Sequence, residues 1–321
     1  MFQKLLPLLF LVGCLDAPTT PVTTLKSTVN QTVEKEKTLS ILYRSTDNGA
    51  TWLPNGAGLP DDLIVESMAT LGDQFLLSSE NYGLYLSDPT KQRWQPLDTE
   101  QLPSKKITSL HVAKGVIYVG VLRKGIYTSP DLGQTWTSLN HNLEGELVKS
   151  ILRCDDQLWI GVDDGIYALR DGAKAWQQIQ KGPQVTSLLR AGDNFLAGTQ
   201  AGILLSKDNG NTWSDVRSGL TNNNLALDGN IITAAFMGGE VETSADGGAT
   251  WQPSQSGQPI LGNTVQTVET SGCLKRYYES GNTALSDDFE VRHLFYTTPT
   301  ESIIIMAKER GLLYGGRFVG C

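Results

Sequence analysis

Residues able to do chemistry are few in this chain, and most are far apart. Three histidines, His111, His141 and His293, share no spacing that would bring imidazoles to one metal ion. No CxxC, HExxH, glycine-rich phosphate loop or GxSxG elbow occurs. Neither a metal nor a cofactor is expected. Four aspartates, by contrast, recur in one context. Ser45 to Trp52 reads STDNGATW, Ser129 to Trp136 reads SPDLGQTW, Ser206 to Trp213 reads SKDNGNTW, and Ser244 to Trp251 reads SADGGATW. In such an octapeptide the Ser and Asp side chains can hydrogen-bond the turn's own backbone, glycine permits positive φ, and tryptophan covers the hairpin with a large apolar ring. This is the chemistry of holding a turn. Ser45, Asp47, Gly49 and Trp52 are therefore read as structural, as are Ser129, Asp131, Gly133 and Trp136, Ser206, Asp208, Gly210 and Trp213, and Ser244, Asp246, Gly248 and Trp251. Two further copies, SDPTKQRW ending at Trp94 and LRDGAKAW ending at Trp176, keep the tryptophan and lose the polar turn chemistry.

The elements that must position these turns follow from their spacing. The six tryptophans lie at intervals of 42, 42, 40, 37 and 38 residues, and a period of roughly 40 residues signals a stacked or radial array of small units. The clearest unit contains Val185 to Leu189, Asn194 to Gly198 and Gly202 to Ser206, short β-branched or apolar runs bounded by Gly, Asp or Asn. That is the signature of strands and turns. Gly83, Gly125, Gly165 and Gly202 each sit 11 residues before their tryptophan, which predicts a rigid hairpin of third strand, turn and fourth strand. Four-stranded units of this length build an all-β propeller.

The tandem Ser-x-Asp-x-Gly-x-Thr-Trp pattern resembles the Asp-box, or BNR, propeller superfamily over most of the chain after about residue 39. That superfamily includes sialidases, sortilin-type receptor domains, some plant-polysaccharide hydrolases and photosystem II assembly factors. The resemblance implies that the boxes lie at the blade periphery, away from the ligand-binding face. Sialidases use three arginines for the substrate carboxylate, a tyrosine nucleophile paired with a glutamate, and an aspartate acid/base. Their Arg-Ile-Pro motif is absent here, and Arg44, the nearest candidate, directly precedes a box. Arg276, Tyr278 and Glu279 form the only cluster of suitable chemistry, but on one strand Glu279 would face away from the other two. No catalytic residue is assigned, and the chain is not expected to be an enzyme. The arginine-rich patch associated with the photosystem II factors has no obvious counterpart among the scattered arginines.

Seven blades are expected. Segments 264–270, 274–280, 283–287 and 290–296 read as a degenerate additional blade. Segments 302–308 and 311–315 read as two more strands that would join 39–44 and the strand from Trp52, so that N- and C-terminal strands close the ring and remove exposed sheet edges. If Gly311 to Tyr314 is a third strand rather than a second, six blades result.

The opening MFQKLLPLLFLVGC has a short charged start, an apolar run and small residues, a secretory signal too short to span a bilayer. Leu11-Val12-Gly13-Cys14 resembles the bacterial lipobox, which implies cleavage before Cys14 and its lipidation. Residues 1–14 are thus read as a lipoprotein signal peptide and 15–38, rich in Thr, Pro, Lys and Glu, as a flexible tether. Residues 39–321 are the propeller. By analogy with enteric bacteria, Leu15 after the cysteine favours the outer over the inner membrane, with membrane contact through the lipid alone.

The net charge of −8 disfavours nucleic acid and anionic lipid headgroups as partners. Of the cysteines in the body, Cys273 and Cys321 belong to units that would be neighbours at ring closure, and their disulfide would add roughly 4 kcal/mol. Cys154 is expected as a buried free thiol. The face opposite the boxes is formed partly by turns between second and third strands: Asn81 and Tyr82, Arg123 and Lys124, Asp163 and Asp164, Gln200 and Ala201, Met237 and Gly238. These differ from unit to unit, which disfavours a repeated sugar pocket and suits one asymmetric protein-binding surface. The expectation is a lipid-anchored, cell-envelope propeller acting as a non-catalytic protein-binding or assembly scaffold for a protein partner. The alternative is a sialidase-like glycosidase or glycan-binding surface protein.

Overall fold

The structure is a computed structural model that describes residues 40–45, 53–88, 90–143, 145–228, 230–237, 240–253, 268–269, 289–297 and 302–309. Two short strands open it, β1 (Leu42–Ser45) and β2 (Leu53–Pro54). Five antiparallel four-stranded blades follow. Blade I holds β3 (Val65–Leu71), β4 (Gln74–Ser79), β5 (Gly83–Asp88) and β6 (Arg93–Pro96). Blade II holds β7 (Ile107–Ala113), β8 (Val116–Val121), β9 (Gly125–Ser129) and β10 (Thr137–Ser138). In blade III these are β11 (Ser150–Cys154), β12 (Gln157–Val162), β13 (Gly165–Arg170) and β14 (Gln177–Lys181). Blade IV has β15 (Val185–Ala191), β16 (Asn194–Thr199), β17 (Gly202–Ser206) and β18 (Ser214–Ser218), and blade V has β19 (Asn222–Asp228), β20 (Ile231–Phe236), β21 (Val241–Ser244) and β22 (Gln252–Pro253). The first strands of successive blades lie side by side and so are the innermost.

Five four-stranded blades are present among the described residues, in place of the seven expected or the six of the alternative. The ends of the chain build one further, five-stranded sheet in the order β2-β1-β25-β24-β23, with β23 (Val268–Glu269), β24 (Phe289–Thr297) and β25 (Ser302–Glu309). The count differs because β24, expected in a separate degenerate blade, pairs with β25 from Phe289↔Glu309 to Thr297↔Ser302. The closing strands and that supposed blade are therefore one sheet. It is completed by β1 against β25, Leu42↔Met306 to Ser45↔Ile303, and stands between β19 and β3. Segments 274–280, 283–287 and 311–315 lie outside the described residues.

The core is divided among the gaps between consecutive sheets. Every second strand is buried on both faces, and its period-2 alternation sends neighbouring residues to opposite gaps. On β12, Leu158, Ile160 and Val162 pack toward blade II with Val148 and Trp176, while Trp159 packs toward blade IV with Phe195 and Ala197. On β16, Leu196 turns instead to blade V, beside Leu225 and Ile232. Burying each such leucine or isoleucine contributes about 1.5–3 kcal/mol.

A β-bulge recurs in the innermost strands, between Val65 and Ser67, Ile107 and Ser109, Val185 and Ser187, and Asn222 and Asn224. In blades II and IV it turns paired hydroxyls toward the next blade. Thr108 and Ser109 both donate to the Val148 carbonyl, at 2.7 and 2.9 Å. Thr186 donates to the Asn222 carbonyl at 2.6 Å, and Ser187 to Asn222 Oδ1 at 3.1 Å. This latch needs a small partner across the strand pair. A Cβ on Gly198, which faces Ser187, would come within 1.9 Å of Asn222 Oδ1.

Candidate partner-binding face

Antiparallel alternation places the second-to-third-strand turns and the links between blades at one end of the strands, and the first-to-second-strand turns and octapeptides at the other. At the first end, a third strand starts at Gly202 with φ +143, where a Cβ would meet the Arg217 carbonyl at 1.8 Å. Glycine there lets the neighbouring strand close over the turn. The turn residues just before these glycines are the ones singled out from sequence. Asn81, Arg123, Lys124, Asp164, Gln200 and Met237 are exposed, and Tyr82 and Asp163 half-buried. Gly238 lies outside the described residues.

These side chains are joined to the links and to one another. Tyr82 Oη donates to Asp62 Oδ1 at 2.7 Å, and this bond, more than burial, raises the phenol's pKa. Gln184, on the link between blades III and IV, donates to Asp163 and accepts from Gln200 Nε2 at 2.8 Å. Asp164 accepts from Tyr167 Oη at 3.2 Å and Gln178 Nε2 at 3.3 Å. Glu146, half-buried on the link from blade II to blade III, has its carboxyl pushed up by burial first and then by Asp164 and Asp163, with Arg123 opposing. The face therefore carries a polar relay across blades III and IV and a concentration of negative charge beside Arg123. Asp62, Glu146 and Gln184 belong to this surface and carry no signal in the sequence, because the links between blades share no common residues.

At the opposite end, three octapeptides have one hydrogen-bond set. In the turn 129–136, Ser129 Oγ donates to Asp131 Oδ1 at 2.8 Å and accepts from Gly133 N at 2.8 Å; Thr135 N and Oγ1 donate to the two Asp131 oxygens at 2.9 and 2.6 Å. The turns 206–213 and 244–251 repeat it. These bonds, led by the threonine hydroxyl, hold Asp131, Asp208 and Asp246 below the usual carboxylate range. The turn before Trp94 keeps more polar chemistry than its sequence implies. Asp88, one position early, accepts from Thr90 N at 3.1 Å and Lys91 N at 3.2 Å.

The tryptophans reach further than their own hairpins. Trp94, Trp136 and Trp176 donate Nε1–H to the carbonyls of Asn55, Asp98 and Leu139, about one period upstream, at 2.7, 3.0 and 2.7 Å. Trp213 and Trp251 instead donate within their own turns, to Gly210 and Gly248.

Other candidates have structural surroundings. Arg44 places its guanidinium 5.7 Å from the Phe75 ring centroid, and burial lowers its pKa. Cys154 is a buried free thiol whose pKa is pushed up by burial, which disfavours the reactive thiolate. Cys14, Asp47, Gly49, Trp52, Cys273, Arg276, Tyr278, Glu279 and Cys321 lie outside the described residues, as does the whole of 1–38; the side chain of Ser45 does too. Among the described residues no group of three or more His, Cys, Asp and Glu side chains is arranged to hold a metal ion.

The fold is that of a β-propeller made of four-stranded blades. The DUF6242 beta propeller domain family matches residues 126–255, so the chain is similar to that family from the third strand of blade II through blade V. Comparison with curated proteins returned no match. Among solved structures, the extracellular domain of BT3049 from B. thetaiotaomicron, described as part of a hybrid two component system, superposes with a TM-score of 0.55 at 14% identity, covering 80% of this chain and 36% of that one. YCF48 bound to D1 peptide has a TM-score of 0.53 at 16% identity, covering 83% of this chain and 85% of that one. An ancestral GH74 enzyme has a TM-score of 0.53 at 14% identity, covering 73% of this chain and 37% of that one. The chain thus spans little over a third of the BT3049 domain and of the GH74 enzyme. At these identities the likeness is one of fold.

Proposed function

We propose that this propeller is a lipid-anchored protein of the bacterial cell envelope that binds a protein partner as a non-catalytic scaffold. The observation that carries the reading is the face formed by Tyr82, Arg123, Asp163, Asp164, Gln200 and Met237, whose chemistry changes from blade to blade. A repeated small ligand would call for repeated residues, whereas one large asymmetric partner is served by different groups around the ring. Met237, 63% exposed, and Ile64, 44% exposed, supply apolar contacts at that face, and Glu146, Asp163 and Asp164 would select basic or amide groups. The YCF48 structure, similar over most of both chains, holds a peptide, which supports a polypeptide as the class of occupant. Cys14 would carry the lipid and residues 15–38 the tether, with the outer membrane as the favoured site.

The glycan reading is favoured by the fold likeness to the GH74 enzyme, and would draw on Arg276, Tyr278 and Glu279. Affinity capture of the tagged, lipidated chain from its native envelope separates the two. A stoichiometric protein, retained by Asp208→Asn and lost on the double change Asp163→Asn, Asp164→Asn, is the expected result. Capture of nothing, together with retention or cleavage of sialosides by the soluble domain, would replace the scaffold reading with the glycan one.

A further inference from the structure

His111 departs from the repeat. Two residues before the end of the innermost strand the other four blades carry Ala69, Leu152, Leu189 and Ala226, and blade II carries an imidazole. Its cross-strand neighbour is Tyr118, where Leu152 faces Trp159 and Leu189 faces Leu196. Both rings lie on the blade III side of blade II, with centroids 6.5 Å apart. From the facing strand β11, the backbone N–H of Arg153 donates to His111 Nε2 at 3.3 Å. A bond of the same kind joins blades III and IV, where Leu188 N donates to the Ser150 hydroxyl at 2.9 Å. One seam is thus held by a group that titrates and the next by one that does not.

Nε2 can accept only while the imidazole is neutral, with its proton on Nδ1. Burial in the gap favours that form and lowers the pKa to about 4. The charged groups around the ring give an imidazolium nothing in return. From β8, Tyr118 is a phenol kept protonated by burial. From β11, the Arg153 guanidinium is itself a cation. Asp171, beyond β13, accepts from Arg153 Nη2 at 2.5 Å and is drawn on by Lys114 of the β7–β8 turn. Asp156 is 3.7 Å from Arg170. Protonation would add a cation beside an engaged carboxylate and set one N–H against another. A cavity of about 220 Å³ between the same two blades, walled in part by Tyr118, Arg153, Leu158 and Asp171, gives water a way to this end of the seam.

We propose that the contact between blades II and III is a pH-sensitive joint, in which protonation of His111 releases the Arg153 N–H and loosens the two blades at the octapeptide end while the seam between blades III and IV holds. A released histidine titrates near about 6.5. The closed joint is therefore at full strength above that value, and its closing equilibrium falls about tenfold for each pH unit below it, until the closed form protonates as well. The joint is independent of the partner-binding face. Hydrogen–deuterium exchange of the full chain, corrected for the intrinsic pH dependence of exchange, tests it by comparing protection of β11 with that of β15, whose bond to Ser150 does not titrate. Between about pH 6.5 and 4.5 the β11-to-β15 ratio is expected to fall by about a hundredfold. In His111→Gln, which keeps a neutral acceptor, the ratio should stay constant. NMR of the wild-type imidazole, which needs no variant to fold, should show Nε2 unprotonated at pH 5.5. A constant wild-type ratio, the same fall in His111→Gln, or an imidazole that titrates near 6.5 in the folded chain would each overturn the proposal.

Discussion

Asp131, Asp208 and Asp246 each gather a serine hydroxyl, a threonine hydroxyl and backbone N–H groups around one carboxylate. Each folded-state pKa is depressed, so the contribution to stability is present above the unfolded value of about 3.9 and is lost as pH falls through the folded values. The melting temperature is expected to drop steeply between about pH 4 and pH 2. Asp208→Asn should lower it at pH 7 and flatten the acid slope, as calorimetry across that range would read; an unchanged slope would mean the turns do not carry the acid sensitivity. These turns were legible in the sequence because every bond spans at most four residues. The Tyr82–Asp62 bond and the Asp163–Gln184–Gln200 relay were not, because their partners lie 16 to 21 residues apart on links with no shared pattern.

Between elements, the repeated tryptophans do more than cap hairpins. Trp176 is 4% exposed and donates to Leu139 on the link that leaves blade II, while its backbone N–H donates to Asn142 Oδ1 at 2.8 Å. It therefore pins blade III to the link before it. Trp176→Phe keeps the aromatic packing and removes the indole donor, taking away the bond to the carbonyl of half-buried Leu139 at a cost of about 1 kcal/mol. Urea unfolding should show that loss, and full stability in the variant would reduce the indole contact to an incidental one. A seventh tryptophan, Trp159, stacks on Phe195 at 4.3 Å and tilts toward Trp213 at 6.2 Å. A Cβ on Gly210 would come 2.2 Å from its ring, at φ +85, so that glycine serves blade packing as well as its own turn. The period showed that tryptophan recurs; which blade each indole holds depends on neighbours in space.

For the whole molecule, closure rests on antiparallel pairing between chain ends, Leu42–Ser45 against Ile303–Met306. Removing residues 1–54 would expose the edge of β25, a row of unpaired backbone groups open to intermolecular pairing. Such a truncation is expected to elute as oligomers or aggregate on size-exclusion chromatography, and a stable monomer would show that the ring does not need β1 and β2. The sequence by itself determined the all-β class, the four-stranded repeat, the turn chemistry and the joining of N- and C-terminal strands, because these follow from periodicity and from contacts within one repeat. The tertiary structure decided that five four-stranded blades stand beside one five-stranded closing sheet. It also decided which indole reaches the preceding link, how Asp62, Glu146 and Gln184 complete the candidate face, and that Tyr118 faces a cavity between two blades. These depend on strand pairing and on packing between units some 40 residues apart, and one-dimensional spacing carries no record of which surfaces meet.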